Sequence, residues 1–255
     1  MYFFERLGPT SFRASEHVGG AWDPSEQHIA PALGLLAHMI EAHHRTYREV
    51  PLTIARVSYD ILGTMPIGVV EIEVSVIRPG RTIELVEARL SHAGRIVVAA
   101  RAWLLQKFDT DAISGTALPA VPGPEALEEW RPEMIWPGGF VRSVEARRSL
   151  LENGRAVTWI RSDAMLICDE HASQTARALG LIDIANGLAP RVEIERVSFP
   201  NVDLTVHLFR EPEGEWLGFD TMVSFGESGI GLTHSAIHDR RGPLGTVSQC
   251  LTIRQ

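Results

Sequence analysis

SQTARALGLIDIANG, residues 173–187, carries apolar side chains at Ala176, Leu179, Ile182 and Ala185, with Ala178, Leu181 and Ile184 beside them. Recurrence at three and four residues predicts a helix with a wide apolar stripe over Ser173–Gly187. Ser173 has the chemistry of an N-cap, and Gly187 that of a C-terminal stop. Asp183 interrupts the stripe, with Leu181 and Ile182 before it and Ile184 and Ala185 after it. Such an acid lies either on an exposed seam or inside for a reason. Burying a carboxylate without partners costs several kcal/mol or shifts its pKa. Asp183 is therefore the first candidate functional residue.

Outward from this helix the pattern turns to strands. VEIERVSF (192–199), VDLTVHLF (202–209), WLGFDTMVSF (216–225), GIGLTHSAIH (229–238) and GTVSQCLTIR (245–254) follow it. Strand candidates at Phe140–Glu145 and Ala156–Arg161 precede it. The first half has the same plan. A short strand within Thr10–His17 and a turn-rich stretch, VGGAWDPSEQ, lead into HIAPALGLLAHMIEAHHR (28–45), with Leu33, Leu36, Ala37 and Ile40 on one helical face. In VEIEVSV, Val70, Ile72, Val74 and Val76 alternate with Glu71, Glu73 and Ser75, the period of a half-buried strand. RPGR and HAGR are turns that separate it from TIELVEARL and IVVAARAWLL, which implies an antiparallel meander.

Two local similarities support duplication. IARVSYDIL echoes IERVSFPNVDL, and LSHAGRIVVAARAWLL echoes IHDRRGPLGTVSQCLTI. Between the halves, TALPAVPGPEALEEWRPEMIWPGG is rich in Pro, Gly and acid, as expected for a linker along the surface. The expected organisation is an α+β repeat at 1–108, a linker at 109–138 and a second repeat at 139–255. Each repeat is a helix with a long antiparallel sheet, and edge-to-edge pairing covers the sheet edges.

The chain has 255 residues, 45% of them hydrophobic, and a formal net charge of −8. This balance disfavours nucleic acid and anionic membrane as partners. It leaves room for a phosphorylated small molecule met by a local Arg or Lys cluster. Cys168 and Cys250 form no framework and no zinc spacing, so reduced, buried thiols in a cytoplasmic protein are expected. MYFFERLGPTSF lacks the pattern of a signal peptide, and no apolar run approaches a membrane span. No GxSxG elbow is present, which disfavours a serine triad.

In order and spacing, these pieces resemble the double hot-dog acyl-CoA thioesterases, the thioesterase II group and its relatives. GAWDPSEQHIAPALGLLAHMIE and RPGRTIELVEARLSHAGRIVVAARAWLL carry the resemblance in the first half. LGLIDIANG, NVDLTVHLFREPEGEWLGF and GIGLTHSAIHDRRGPLGTVSQCLTIR carry it in the second. The resemblance implies a double hot-dog fold, an acyl-CoA substrate, no cofactor and no metal. It further implies a water activated by a helix aspartate, a polar residue on an early strand and a glutamine on the last strand. These fall on Asp183, Asn201 and Gln249. Thioesterase II has threonine where Asn201 stands, and the family often has His-Gly-Gly where this chain reads His28-Ile29-Ala30. The first half has no glutamine in AARAWLL, so one site per chain, dominated by second-half residues, is expected. Further dimerisation is common in the family.

Plainer readings compete. An Asp in a helix is commonly exposed, Asn after Pro commonly a turn residue, and Gln in a strand commonly outward-facing. Asp203 is a neighbouring acid, read as structural. Asp23 and His28 have a spacing similar to the Asp/His pair of hot-dog hydratases, or are simply a turn acid and a helix-start histidine. His38 and Glu41 have helical metal-ligand spacing without a third ligand, beside His43 and His44. Arg240 and Arg241 lie in a hairpin turn. Three activities remain open: thioester hydrolysis, acyl-CoA binding without turnover, and hydration of an enoyl thioester.

Overall fold

The structure, a computed structural model, describes all 255 residues. The first half contains β1 (Tyr2–Arg6), β2 (Ser11–Ala14), α1 (Ile29–Arg45), β3 (Thr53–Ile61), β4 (Val69–Arg78), β5 (Ile83–His92) and β6 (Arg95–Leu105). Next come β7 (Glu128–Trp130), a single turn α2 (Gly139–Arg142), β8 (Glu145–Glu152), β9 (Arg155–Arg161), β10 (Met165–Ile167) and α3 (Gln174–Leu179). The chain closes with β11 (Asp203–Leu208), β12 (Leu217–Phe225), β13 (Ile230–Asp239) and β14 (Gly242–Thr252).

The strands form one sheet in the order β10-β1-β2-β4-β5-β6-β3-β11-β14-β13-β12-β9-β8-β7. The antiparallel pair β3–β11 joins the halves, with Thr205 opposite Ser58 at its centre. Outward from that pair the next five strands correspond on the two sides, while the edges differ: β10 pairs parallel with β1, and β7 antiparallel with β8. Even an irregularity is duplicated. The β5–β6 ladder shifts register between Leu90 and Ser91, and the β13–β14 ladder shifts between Ile237 and His238, each just before its hairpin turn. This is a double hot-dog of the α+β class.

α1 is apolar nearly all round and is buried along most of its length. It packs against α3 inside the curved sheet. The contact is close because glycines meet. A Cβ added to Gly34 would stand 2.6 Å from the Cα of Gly180. Both glycines lie in the same four residues, Ala32-Leu33-Gly34-Leu35 and Ala178-Leu179-Gly180-Leu181.

Five expectations need correction. The helix predicted over Ser173–Gly187 stops at Leu179, then resumes as a tighter 3₁₀ segment over Ile182–Gly187. The break falls at Gly180, where α1 crosses. VEIERVSF is not a strand: Ile194–Arg196 form a 3₁₀ turn, so the counterpart of β3 is β11 and not this stretch. Phe140–Arg142 belong to a helical turn, with β8 starting at Glu145. The segment between the halves is not all surface: Glu128–Trp130 pair with β8 as the sheet edge, and Trp136 is buried. The cysteines differ as well. Cys250 is exposed and Cys168 half-buried, because Cys250 sits on the outer side of β14 while Gln249 takes the inner one.

Candidate active site

The 3₁₀ segment is buried on every side, including Ile182, Asp183, Ile184, Ala185 and Asn186. Asp183 is 6% exposed, which removes the reading of a solvated seam. Asn186 ties the segment down by donating through Nδ2 to the Phe199 carbonyl at 3.0 Å.

Asn201 is positioned by an unusual strand entry. It bridges to Leu251 of β14 ahead of the regular β11 ladder. Asp203 substitutes for a backbone acceptor there, taking the Cys250 N–H on Oδ1 at 2.7 Å. That is a structural role. Gln249 is delivered by alternation along β14, and its side chain is fully inside.

These placements bring Asp183, Asn201 and Gln249 together. Asn201 Nδ2 donates to Asp183 Oδ1 at 2.7 Å, and Gln249 Nε2 donates to the same oxygen at 2.9 Å. A carboxylate can only accept, so both amides turn their nitrogens toward it. Their carbonyl oxygens then face elsewhere, and Gln249 Oε1 is buried with no donor in the protein. Burial pushes the Asp183 carboxyl up to about 6, and the two amide hydrogen bonds oppose the rise.

A fourth group arrives from the first half. His28 caps α1, accepting the Ala30 N–H on Nδ1 at 3.2 Å, and its ring lies on Phe140 with centroids 4.2 Å apart. The same Nδ1 is 3.8 Å from Asp183 Oδ2. This is no ion pair. Burial lowers the His28 pKa to about 3, and a lone pair that takes an N–H cannot also hold a proton. His28 is neutral, with its proton on Nε2.

A cavity of about 390 Å³ opens beside these groups. Gly20 to Asp23, Glu26 to Ile29, Ile61 and Gly63 to Met65 line it from the first half; Trp136, Val141, Asp183, Ile184, Asn186, Gly187 and Ser198 to Asn201 line it from the rest, and Gln249 is not part of the lining. Both halves therefore contribute, more evenly than a second-half site implies. The site is nonetheless single. Ala37 stands in the first ALGL helix where Asp183 stands in the second. Ser58 pairs with Arg101, and Thr205 with Ser248, so Ala102 is the counterpart of Gln249. Neither alanine can hold a water.

The other candidates are committed elsewhere. Asp23 Oδ1 takes the backbone N–H and the hydroxyl of Ser25, at 2.8 and 2.7 Å. His38 bonds Glu170, and His44 bonds Glu84, each at 2.8 Å. No group of acidic, histidine and cysteine side chains has the arrangement of a metal site. Arg240 pairs with Glu125 and Arg241 with Glu213.

The profile of the acyl-CoA thioesterase N-terminal domain matches residues 19–105, and that of the C-terminal domain matches residues 116–253. The chain belongs to the acyl-CoA thioesterase family. No curated protein sequence matches it. Among solved structures, a protein of Novosphingobium aromaticivorans carrying a thioesterase designation superposes with TM-score 0.73 at 18% identity, over 100% of both chains. Acyl-CoA thioesterase II TesB2 from Mycobacterium marinum does so with TM-score 0.69 at 17% identity, over 98% of this chain and 95% of that one. A hot-dog protein of Alicyclobacillus acidocaldarius gives TM-score 0.72 at 14% identity, over 99% of this chain and 96% of that one. At these identities the likeness is one of fold. No helix of this thioesterase-family chain is long and apolar enough to cross a membrane.

Two parts of the site do not show in the sequence. Spacing suggests Asp23 as the partner of His28, and nothing joins His28 to Asp183 so far along the chain. Trp136 falls in the Pro- and Gly-rich segment that reads as a linker. The repeated ALGL, which aligns Asp183 with Ala37, is the one sequence signal that points to a single site.

Proposed function

We propose that this chain hydrolyses acyl-CoA thioesters with a water held by Asp183, Gln249 and Asn201. The observation that carries the reading is the asymmetry of the Asp183 carboxylate. Oδ1 is filled by two amide donors, while Oδ2 takes no hydrogen bond from the protein, in a residue that lines the cavity. Asp183 Oδ2, Gln249 Oε1 and the Asn201 carbonyl oxygen are then all acceptors. A water gives its two O–H groups to two of them and keeps both lone pairs, one of which can bond to a carbonyl carbon.

The balance of the reaction follows. The water oxygen bonds to the thioester carbonyl carbon as Asp183 takes a proton. The tetrahedral intermediate collapses with cleavage of the C–S bond. The thiolate of CoA leaves and is protonated by the proton that Asp183 holds. A carboxyl near 6 is ionised at neutral pH yet close enough to shuttle that proton. The first turn of α1 supplies a donor for the oxyanion: the Ile29 N–H has no intramolecular acceptor, and Ile29 lines the cavity.

The cavity walls hold no Lys or Arg. The phosphates of CoA then belong outside, at the rim. Arg95, which donates to the Thr64 carbonyl at 2.5 Å, and Arg142, which donates to the Pro137 carbonyl, flank that rim. Hydration is not favoured, since no hydrogen bond joins Asp23 to His28: Asp23 Oδ1 takes the Ser25 donors and His28 Nδ1 takes the Ala30 N–H.

The test is thiol release from acyl-CoAs of graded length, with Asp183→Asn and Gln249→Ala as controls. Turnover by the wild type that falls at least a hundredfold in Asp183→Asn is expected. Binding of acyl-CoA with no turnover at any length overturns the proposal in favour of a binding module.

A further inference from the structure

We propose that the aromatic side of the cavity is a subsite for an aromatic acyl group bearing an ether or carbonyl oxygen, walled by Trp22, Trp136 and Phe199. The inference rests on the thioester reading of the same cavity and adds its substrate class. Three observations on different residues lead to it.

The first is the wall. Trp22 and Trp136 meet with ring centroids 4.9 Å apart, Trp22 and Phe199 at 5.3 Å, and Trp136 and Phe199 at 6.1 Å, all edge to face. Phe225 backs Phe199 at 5.9 Å. Rings locked in this way offer flat faces and positive edges, which favour another ring over a flexible chain. Trp22 is half exposed at the mouth, and Trp136 and Phe199 are buried.

The second is an unpaired donor. The indole N–H of Trp136 is buried and meets no acceptor, although Trp136 is 7% exposed. An unsatisfied buried donor is costly, and native proteins rarely keep one. The N–H lies over Gly187, where an added Cβ would stand 3.1 Å from Nε1. The backbone of Gly187 is not in the left-handed region, so its conformation does not demand glycine. The missing side chain lets the segment lie against the indole without crowding its N–H, and on this proposal the acceptor that the protein does not supply comes from the bound acyl group. Gly187 is four residues beyond Asp183 along a 3₁₀ segment, about 8 Å at its usual rise. A substituted ring spans such a distance between a thioester carbonyl at Asp183 and an oxygen at Trp136.

The third is the floor. The inner sheet face beside Gln249 carries buried hydroxyls among its apolar side chains. Thr233 is paired with Gln249, and Ser235 with Val247, across β13–β14. Thr221 and Ser235 share a hydrogen bond of 2.9 Å, and all three hydroxyl residues are buried. Their first-half counterparts on β4 and β5 are Val74, Val86 and Ala88. A long alkyl chain directed past Gln249 would meet these hydroxyls, where the first half presents only apolar side chains.

The test compares 4-methoxyphenylacetyl-CoA, phenylacetyl-CoA, octanoyl-CoA and palmitoyl-CoA by kcat/KM, in the wild type, Trp136→Phe and Gly187→Ala. The methoxyaryl thioester is expected to be hydrolysed best and palmitoyl-CoA worst. Trp136→Phe keeps a ring and removes the donor, so the ratio of methoxyaryl to unsubstituted aryl turnover should fall about tenfold, the worth of one net hydrogen bond. Gly187→Ala should lower the same ratio by closing the space. Palmitoyl-CoA as best substrate, or an unchanged ratio in Trp136→Phe, overturns the subsite. Binding of free 4-methoxyphenylacetate, followed by calorimetry, separates the two readings. If it binds the wild type more tightly than Trp136→Phe while no thioester is cleaved, the subsite stands and hydrolysis fails. If thioesters are cleaved but this acid does not distinguish the two proteins, the subsite fails alone.

Discussion

Asp183 Oδ2 lies 3.8 Å from His28 Nδ1, across the seam between the two halves of the chain, and the two groups titrate in opposite senses. Burial raises the acid to about 6 and lowers the histidine to about 3. Above pH 6 the pair therefore consists of a carboxylate beside a neutral ring. That state places one negative charge in a dry wall, offset by two amide donors.

The first prediction concerns that charge. A carboxyl held at about 6 against an ordinary value of 3.8 costs about 3 kcal/mol when ionised in the folded protein. The folded state binds its proton more tightly than the unfolded one, so this penalty is full above pH 6 and disappears as the pH falls toward 4. Asp183→Asn should therefore be more stable than the wild type at pH 8, with the gain shrinking through that window. Its thioester hydrolysis should drop at least a hundredfold. Denaturant unfolding at pH 8 and pH 4.5, with turnover at pH 8, measures both. A variant no more stable at pH 8 would mean that the carboxylate is better solvated than its burial indicates.

The second concerns the amides. In the wild type, kcat/KM should rise with pH through an acid limb near 6, since Asp183 must be ionised to take a proton. Gln249 lowers that value by donating to Oδ1. Gln249→Ala should move the limb upward as well as reduce the plateau, whereas a merely structural glutamine would reduce activity without moving it. The pH–rate profile of the variant decides between them.

Much of this geometry was legible beforehand and some was not. The interrupted helix stripe marks Asp183 by itself, whereas Asn201 and Gln249 join it only through the family resemblance, since Asn after Pro and Gln in a strand read locally as a turn residue and an outward-facing one. The hairpin echo between LSHAGRIVVAARAWLL and IHDRRGPLGTVSQCLTI marks a real duplication, seen again in the repeated bulge. The strand expected at 192–199 failed because alternation in VEIERVSF fits a strand locally, while the chain there must turn to bring Phe199 and Asn201 under the 3₁₀ segment. The helix break at Gly180 was hidden for a related reason. Glycine in a helix costs about 1 kcal/mol, and only the crossing partner, Gly34, explains why it is there. His28 and Trp136 were illegible as site residues because their roles depend on contacts across the two halves.

The third prediction separates the capping role of His28 from its titration. Its folded pKa of about 3 is below the ordinary 6.5. Acid then protonates the unfolded chain first, and stability falls as the pH drops from 6.5 toward 3. His28→Asn keeps an N-cap acceptor and removes the titration, so its stability should decline less over that range. His28→Ala loses the cap to the Ala30 N–H, which costs about 1 kcal/mol and lowers Tm by about 2–4 °C at neutral pH. Thermal scans at pH 7 and pH 5 test the pair. Equal acid sensitivity in the wild type and His28→Asn would show that the ring is hydrated and titrates normally.

The fourth tests the crossing that shapes the site. In an isolated helix Gly34→Ala is favourable by about 1 kcal/mol. Here the new Cβ would stand 2.6 Å from Gly180 Cα and 2.7 Å from the Ala176 carbonyl oxygen, both backbone atoms. Backbone cannot swing aside as a side chain can, so α1 and α3 must separate, and overpacking of this kind costs about 1–3 kcal/mol. The steric term exceeds the propensity gain, and the net change is a loss of stability. The same displacement moves the 3₁₀ segment and pulls Asp183 from the amides of Asn201 and Gln249. Hydrolysis by the folded fraction of Gly34→Ala should then fall more than in a surface variant of equal Tm, such as one chosen by truncating an exposed side chain of β8. Matched activity in the two variants would show that the helix crossing sets stability alone.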